Sequence, residues 1–111
     1  MINYKGKMYR IDHGSNKIQY STNNGSSWNT KCSSSSYGDF KHLEEFDGKL
    51  YAVTSKGVYY SSNDGASWNS KCTSSSYGEF MSLSAQGDKL FANTSKGLYY
   101  SSNKGASWNK K

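Results

Sequence analysis

A repeat of 40 residues constrains this chain more than any other feature of its sequence. Tyr20, Tyr60 and Tyr100 lie at that spacing, and equivalent glycines and tryptophans follow at the same interval. Residues 41–71 align with residues 81–111 without a gap, with 19 identities in 31 positions. Such self-similarity is typical of proteins built from copies of one supersecondary unit. The same packing environment must therefore recur along the chain.

Turn residues divide each copy into four short strands. Asp-Gly, Ser-Lys-Gly and Asn-Asp-Gly sequences separate the strands of the second copy. In the first copy the opening strand is reduced and the turn around residues 13–16 is two residues longer. The predicted strands cover residues 1–4 in the first copy, 40–46, 50–54, 58–62 and 67–72 in the second, and 80–85, 90–94, 98–102 and 107–111 in the third.

The strands predicted at 50–54 and 58–62 are apolar or aromatic over most of their length, instead of alternating with polar residues. Both faces of such a sheet must be covered. A four-stranded antiparallel sheet of about 40 residues with two buried faces is typical of a β-propeller blade. We predict an all-β, single-domain propeller fold with three blades, at about residues 1–34, 35–74 and 75–111. A stacked β-solenoid is the rival interpretation, although its repeats are usually shorter.

Three blades leave two blade faces open, and open apolar faces drive association. Propellers usually close with roughly four to eight blades. Chains that contribute three blades each make rings of six or nine, and of these only six lies in the usual range. We therefore predict an obligate homodimer that forms a six-bladed ring, with its two-fold axis along the central channel.

The third turn of each copy carries the pattern Ser-x-Asn-x-Gly-x-x-Trp. Its members are Ser21, Asn23, Gly25, Trp28, Ser61, Asn63, Gly65, Trp68, Ser101, Asn103, Gly105 and Trp108. The pattern resembles the Asp-box, or BNR repeat, of sialidases and of many non-enzymatic propellers. Asn stands at every Asp position of the family, which keeps the turn hydrogen bond and removes the charge. The resemblance implies a structural role, in which Trp packs beneath the loop as an anchor.

The resemblance to sialidases raises the question of enzyme activity. Sialidase chemistry uses three arginines to hold the substrate carboxylate, together with a Tyr nucleophile. Arg10 is the only arginine in the sequence, so even two chains supply too few. Glu44 and Glu45 are adjacent in a strand and point to opposite faces, so they cannot form an acid/base pair. We expect neither enzyme activity nor a cofactor.

One end of the blades gathers the loops on which a ligand site is expected. The loop before the first strand and the loop between the second and third strands lie at the same end of each blade. Two of the loops before first strands repeat Ser-Ser-Tyr-Gly followed by an acid and Phe, and the neighbouring loops each carry a lysine. The candidate ligand-binding residues are Tyr37, Asp39, Lys56, Tyr77, Glu79 and Lys96.

Two functions fit these loops. In the first, the chain is a lectin-like binding module: a tyrosine ring stacks on a sugar while the charged and hydroxyl groups bond its hydroxyls. In the second, the chain is a protein-interaction scaffold without sugar binding. The structural alternative for Tyr37 and Tyr77 is that both rings pack between blades and the serines only solvate a loop.

The charges and cysteines narrow the partners further. The net charge is +6, but 13 of the 14 cations are Lys spread over turns and strand ends, so we do not expect a nucleic-acid partner.

Cys32 and Cys72 recur at equivalent points about 15 Å apart in such a ring, too far for a disulfide. Free thiols favour a reducing compartment such as the cytoplasm. His13 and His42 lack metal-ligand spacing with either Cys. We recognise no signal peptide and no membrane span.

Overall fold

Three four-stranded antiparallel sheets follow one another along the chain, as predicted. The computed structural model describes residues 2–34 and 36–111, so Met1 of the predicted first strand and Ser35 of a predicted ligand loop lie outside the described residues. The strands are β1 (Ile2–Tyr4), β2 (Lys7–Asp12), β3 (Lys17–Ser21) and β4 (Asn29–Cys32) in blade 1; β5 (Phe40–Phe46), β6 (Lys49–Thr54), β7 (Gly57–Ser61) and β8 (Asn69–Cys72) in blade 2; and β9 (Phe80–Gln86), β10 (Lys89–Thr94), β11 (Gly97–Ser101) and β12 (Asn109–Lys110) in blade 3.

Each blade has a forward face, toward the next blade in the chain, and a rear face, toward the preceding one. Successive residues of a strand alternate between the two faces. Tyr51 and Val53 on the forward face of blade 2 form one buried cluster with Leu90 and Ala92 on the rear face of blade 3. An equivalent cluster joins blade 1 to blade 2. The hydrophobic core is therefore divided between two inter-blade contacts, which we call seams.

The first strands of the three blades, β1, β5 and β9, lie next to one another along the inner edge of the row of blades. β5 contacts both β1 and β9. At the second of these contacts, Glu44 accepts a hydrogen bond at 2.9 Å from the backbone N–H of Ala85. The fourth strands pair only with the third strands of their own blades, so they form the outer edge.

The turn between the third and fourth strands is held by one hydrogen-bond pattern, which recurs in all three blades. In blade 2, Ser61 Oγ donates to Asn63 Oδ1 at 2.8 Å and accepts from the N–H of Gly65 at 2.8 Å. Asn63 Oδ1 also accepts from the N–H of Ser67 at 3.0 Å, and its Nδ2 donates to Ser67 Oγ at 2.8 Å. The amide therefore serves as both acceptor and donor, and these bonds all stay inside the turn.

The tryptophan that follows each turn lies on the rear face of its blade. Trp68 and Trp108 are each 5% exposed. Their rings pack against Phe40 and Phe80, with centroids 5.9 and 5.5 Å apart. Trp28 of blade 1 is only half-buried. The chain therefore buries this anchor fully in blades 2 and 3 alone.

Cys32 and Cys72 are both free and buried. Each lies on the fourth strand of its blade, opposite Ile18 or Val58 of the third strand. Within residues 2–34 and 36–111, no helix has the length and apolarity needed to cross a membrane.

Candidate functional site

A cleft of about 440 Å³ opens between blades 2 and 3, at the end of the blades opposite the Ser-x-Asn-x-Gly turns. The loop before β9 forms one wall, and the turn between β6 and β7 forms the other. Lys56 and Glu79 contribute the charged groups of the lining. The hydroxyl-bearing residues of the lining are Thr54, Ser55, Thr73, Ser74 and Ser75.

The loop before β9 is held rigidly beside this cleft. Ser95 Oγ accepts from the N–H of Glu79 at 2.8 Å, and the N–H of Ser95 donates to the carbonyl of Glu79 at 2.9 Å. Gly78 has φ of +88°, and a Cβ there would lie 2.6 Å from Ser95 Oγ. Glycine is thus required for the close approach of the two loops. The same arrangement joins Asp39 to Ser55 in blade 2.

The charged groups of the cleft each bond a residue outside its lining and still face solvent. Lys41 of β5 makes an ion pair with Glu79, whose side chain remains 57% exposed. Lys56 is exposed, and its Nζ donates to the carbonyl of Ser36 at 3.0 Å. A bound molecule could therefore meet an ammonium group and a carboxylate that are already oriented.

The two tyrosines predicted to contact a ligand are built into the fold. Tyr37 accepts a hydrogen bond from the N–H of Trp68 at 3.2 Å, and its ring meets Tyr59 edge-on at 5.6 Å. Tyr77 makes the equivalent bond to Trp108 at 3.4 Å. Both rings are half-buried, and neither is part of the cleft lining. The structure thus leaves less of each ring for stacking than the sequence suggested.

Of the six predicted ligand residues, the structure brings only Lys56 and Glu79 together in the cleft. Asp39 is the blade-2 equivalent of Glu79, and Lys96 is the blade-3 equivalent of Lys56. Between blades 1 and 2 the longer turn of blade 1 inserts Asn16, whose Nδ2 donates to the carbonyl of Gly38 at 3.1 Å. Its Oδ1 accepts from the N–H of Phe40 at 2.8 Å. The repeated loops therefore differ in what surrounds them.

Lys41 was not among the predicted site residues. Its blade-3 equivalent is Met81, which is exposed. Residues 41–48 and 81–88 are identical only at Leu43 and Leu83, so this difference did not set Lys41 apart from its neighbours. The hydroxyls of Thr73, Ser74 and Ser75 lay in a predicted ligand loop, but nothing in the sequence distinguished them from ordinary loop residues.

A second cavity, of about 330 Å³, lies between blades 1 and 2. Its basic lining residues are Arg10, His13, Lys41 and His42. Ile2 forms one of its walls and directly follows Met1, which lies outside the described residues, so we assign no ligand to this cavity. Over the described part of the chain, no three His, Cys, Asp or Glu side chains group closely enough to hold a metal ion.

Comparison with known proteins places this architecture. A family model described as the DUF6242 beta propeller domain matches residues 1–111. None of the curated proteins compared with the chain matches it. Sixteen solved chains match, among them the crystal structure of the GH74 enzyme of Niastella koreensis, at 22% identity with a TM-score of 0.64. That match covers 95% of this chain and 17% of the other. At this identity the similarity shows the fold alone, and the predicted β-propeller is confirmed.

Proposed function

We propose that this chain, which belongs to the DUF6242 beta propeller domain family, is a non-enzymatic binding module. The cleft between blades 2 and 3 binds a carbohydrate. The chain spans only 17% of the length of the GH74 enzyme, so the activity of that protein does not transfer with the fold.

The composition of the cleft lining carries this proposal. Five residues of the cleft lining carry hydroxyls, and Lys56 and Glu79 add one ammonium and one carboxylate group. The hydroxyls of Thr54, Ser55 and Ser74 also accept hydrogen bonds from backbone N–H groups of the fold. Hydroxyls both donate and accept hydrogen bonds, as the hydroxyls of a sugar do. A volume of about 440 Å³ lies within the ordinary range for small-molecule sites. A polar, uncharged, multiply hydroxylated ligand matches such a lining better than an apolar one.

The arrangement of charged side chains supports a function without catalysis. Among the residues that the structure describes, Glu79 is the only acid in the cleft lining, so none of them places a second carboxylate there to complete an acid/base pair. Arg10 lies elsewhere, with its guanidinium over the ring of Trp28 at 4.1 Å and its Nε bonded to Gln19. The Asp-box resemblance fits the same reading, because the hydrogen bonds of those turns serve the turns themselves.

We expect Lys56→Met to weaken glycan binding by about tenfold or more, because a hydrogen bond from a charged donor is lost. Lys96→Met is the matched control. Both ammonium groups are exposed and bond an equivalent serine carbonyl, but only Lys56 lines the cleft. A glycan array with purified protein finds the ligand, and calorimetry then compares the two variants.

Equal loss in both variants would remove the cleft as the binding site. No binding on a broad array would instead favour the protein-interaction scaffold.

We also propose that a second copy of the chain closes the ring as a homodimer. Val53 and Val58 on the forward face of blade 2 are fully buried, whereas their equivalents in blade 3, Asn93 and Leu98, are exposed. On the rear face of blade 1, the half-buried Trp28 stands where the other blades have buried tryptophans. Both open faces mix apolar and polar groups, as protein–protein interfaces do.

A further inference from the structure

The seam between blades 1 and 2 shows how the protein itself fills the position that corresponds to the cleft. The turn between the second and third strands covers residues 13–16 in blade 1 and only residues 55–56 in blade 2. Strand register aligns the residues that flank the two turns. Asn16, at the end of the longer turn, therefore extends toward the next blade from a place where the shorter turn has no counterpart.

Asn16 bonds the backbone of the loop that enters blade 2. Its Nδ2 donates to the carbonyl of Gly38 at 3.1 Å, and its Oδ1 accepts from the N–H of Phe40 at 2.8 Å. Asn16 has φ of +54°, a conformation that Asn adopts more readily than most residues. One carboxamide group thus pairs with a backbone carbonyl and with a backbone N–H two residues further along the chain.

The seam between blades 2 and 3 presents the same two backbone groups without this partner. Gly78 and Phe80, the blade-3 equivalents of Gly38 and Phe40, both line the cleft. Phe80 holds the same register against the second strand of its blade as Phe40 does, so its N–H points the same way. Within residues 2–34 and 36–111, no side chain and no backbone group of a turn or loop bonds the Gly78 carbonyl or the Phe80 N–H.

The burial of the two phenylalanines gives this difference its significance. Phe40 and Phe80 are each 2% exposed, so water reaches little of either residue. Buried backbone N–H groups are nearly always paired, because an unpaired one loses its bonds to water without replacement. Phe40 follows this rule through its bond to Asn16. For Phe80, the cleft is the side from which a partner for the N–H can come.

We propose that the ligand of the cleft carries an acetamido group, as an N-acetylhexosamine does, and that this group takes the place that Asn16 has at the other seam. Its N–H donates to the carbonyl of Gly78, and its carbonyl accepts from the N–H of Phe80. The hydroxyls of the sugar contact the hydroxyl-bearing lining and the charged groups of Lys56 and Glu79. This inference rests on the proposed carbohydrate function of the cleft and names the substituent that the sugar carries.

A peptide also contains amide groups, but the cleft favours a sugar. A peptide strand docks on a row of free backbone groups at a sheet edge. The pair in the cleft is isolated: both backbone groups of Glu79 bond Ser95, and the Phe80 carbonyl accepts from Lys41 Nζ at 3.5 Å. The hydroxyl-bearing residues of the lining match the hydroxyls of a sugar and have no counterpart along a peptide backbone.

Amide NMR of the 111-residue chain, isotope-labelled at its four phenylalanines, tests the backbone pair directly. Without ligand, we expect hydrogen exchange to be about tenfold faster at the Phe80 amide than at the Phe40 amide, because only Phe40 bonds Asn16. Asn16→Ala should raise the Phe40 rate toward that of Phe80. Equal protection of the two amides in the unchanged chain would show that the Phe80 N–H already has a partner, and would overturn the inference.

Titration of the labelled chain with N-acetylglucosamine or N-acetylgalactosamine identifies the ligand group. One of the two should shift the Phe80 signal and leave the Phe40 signal in place. We expect the matching sugar without the acetyl group, glucosamine or galactosamine, and the plain hexose to bind about tenfold more weakly, because two hydrogen bonds are lost.

The other outcomes separate this inference from the proposed function. If the plain hexose binds as tightly as the acetylated sugar and Lys56→Met weakens both, the carbohydrate site stands and the acetamido group is wrong. If N-acetylalanine amide shifts the Phe80 signal and no sugar does, a peptide is the ligand and both proposals fail. An acetylated sugar that binds without a shift at Phe80 would refute the backbone pair as its contact.

Discussion

Gly57→Ala is expected to lower the free energy of unfolding by about 3 kcal/mol or more, through overpacking and backbone strain together. Gly57 begins β7 with φ of +133°, a conformation that side chains rarely adopt. A Cβ there would lie 2.2 Å from the carbonyl oxygen of Cys72 and 2.9 Å from the Cα of Thr73. Both neighbours are backbone atoms, so relief requires β8 to move away from β7.

Gly48→Ala is the matched control for this substitution. Gly48 also has positive φ, +72°, but nothing lies within 4 Å of the position of its Cβ. We expect a loss of about 1 kcal/mol from conformational strain alone. Urea unfolding followed by circular dichroism compares the two variants. Equal losses would mean that β8 does not approach Gly57 as closely as the structure has it.

Trp68→Ala should cost about 3–5 kcal/mol, a large share of the stability of a domain this size. The Trp68 ring is 5% exposed and belongs to the cluster that joins blade 2 to blade 1. Its removal leaves a cavity beside Phe40, on which the ring packs. The loss should appear as a lower urea midpoint with unchanged secondary structure in the surviving folded fraction.

Trp28→Ala separates the internal seams from the open face. Trp28 is half-buried beneath the guanidinium of Arg10, so its removal should cost the isolated fold much less than the removal of Trp68. It should instead raise the dissociation constant of the homodimer, because the ring lies on the face at which we propose that a second copy docks. If Trp28→Ala destabilises the fold as much as Trp68→Ala and leaves association unchanged, our assignment of the open face is wrong.

The repeat explains why so much of the fold could be predicted. Similar glycine-containing turns at a fixed interval marked the strand ends, and the structure places β5 at the predicted bounds and β7 one residue earlier. Runs that were apolar on both faces indicated that each sheet is covered on both sides, and the two inter-blade clusters show this for blade 2. The turn residues and the apolar runs are local and recur at a fixed interval, so both can be recognised in a single sequence.

The site was predicted less completely, because it depends on contacts between copies. Repetition suggested similar ligand positions at each blade, but the longer turn of blade 1 brings Asn16 onto the backbone of Gly38 and Phe40. Lys41 reaches Glu79 across a seam, over 38 positions of sequence. The hydroxyl of Tyr77 bonds the backbone of Trp108 within its own blade. The repeat in the sequence shows which residues each loop contains, but it does not show which loop of a neighbouring blade each loop contacts.

The mass of the 111-residue chain in solution is the most direct test of our central proposal, that three blades form half of a ring completed by a second copy. One chain has a mass of 12.4 kDa. Sedimentation equilibrium over a range of concentrations should return twice that value for the folded protein, with unfolding that becomes harder as concentration rises. A folded species with the mass of one chain at all concentrations, or of three chains, would contradict the six-bladed ring.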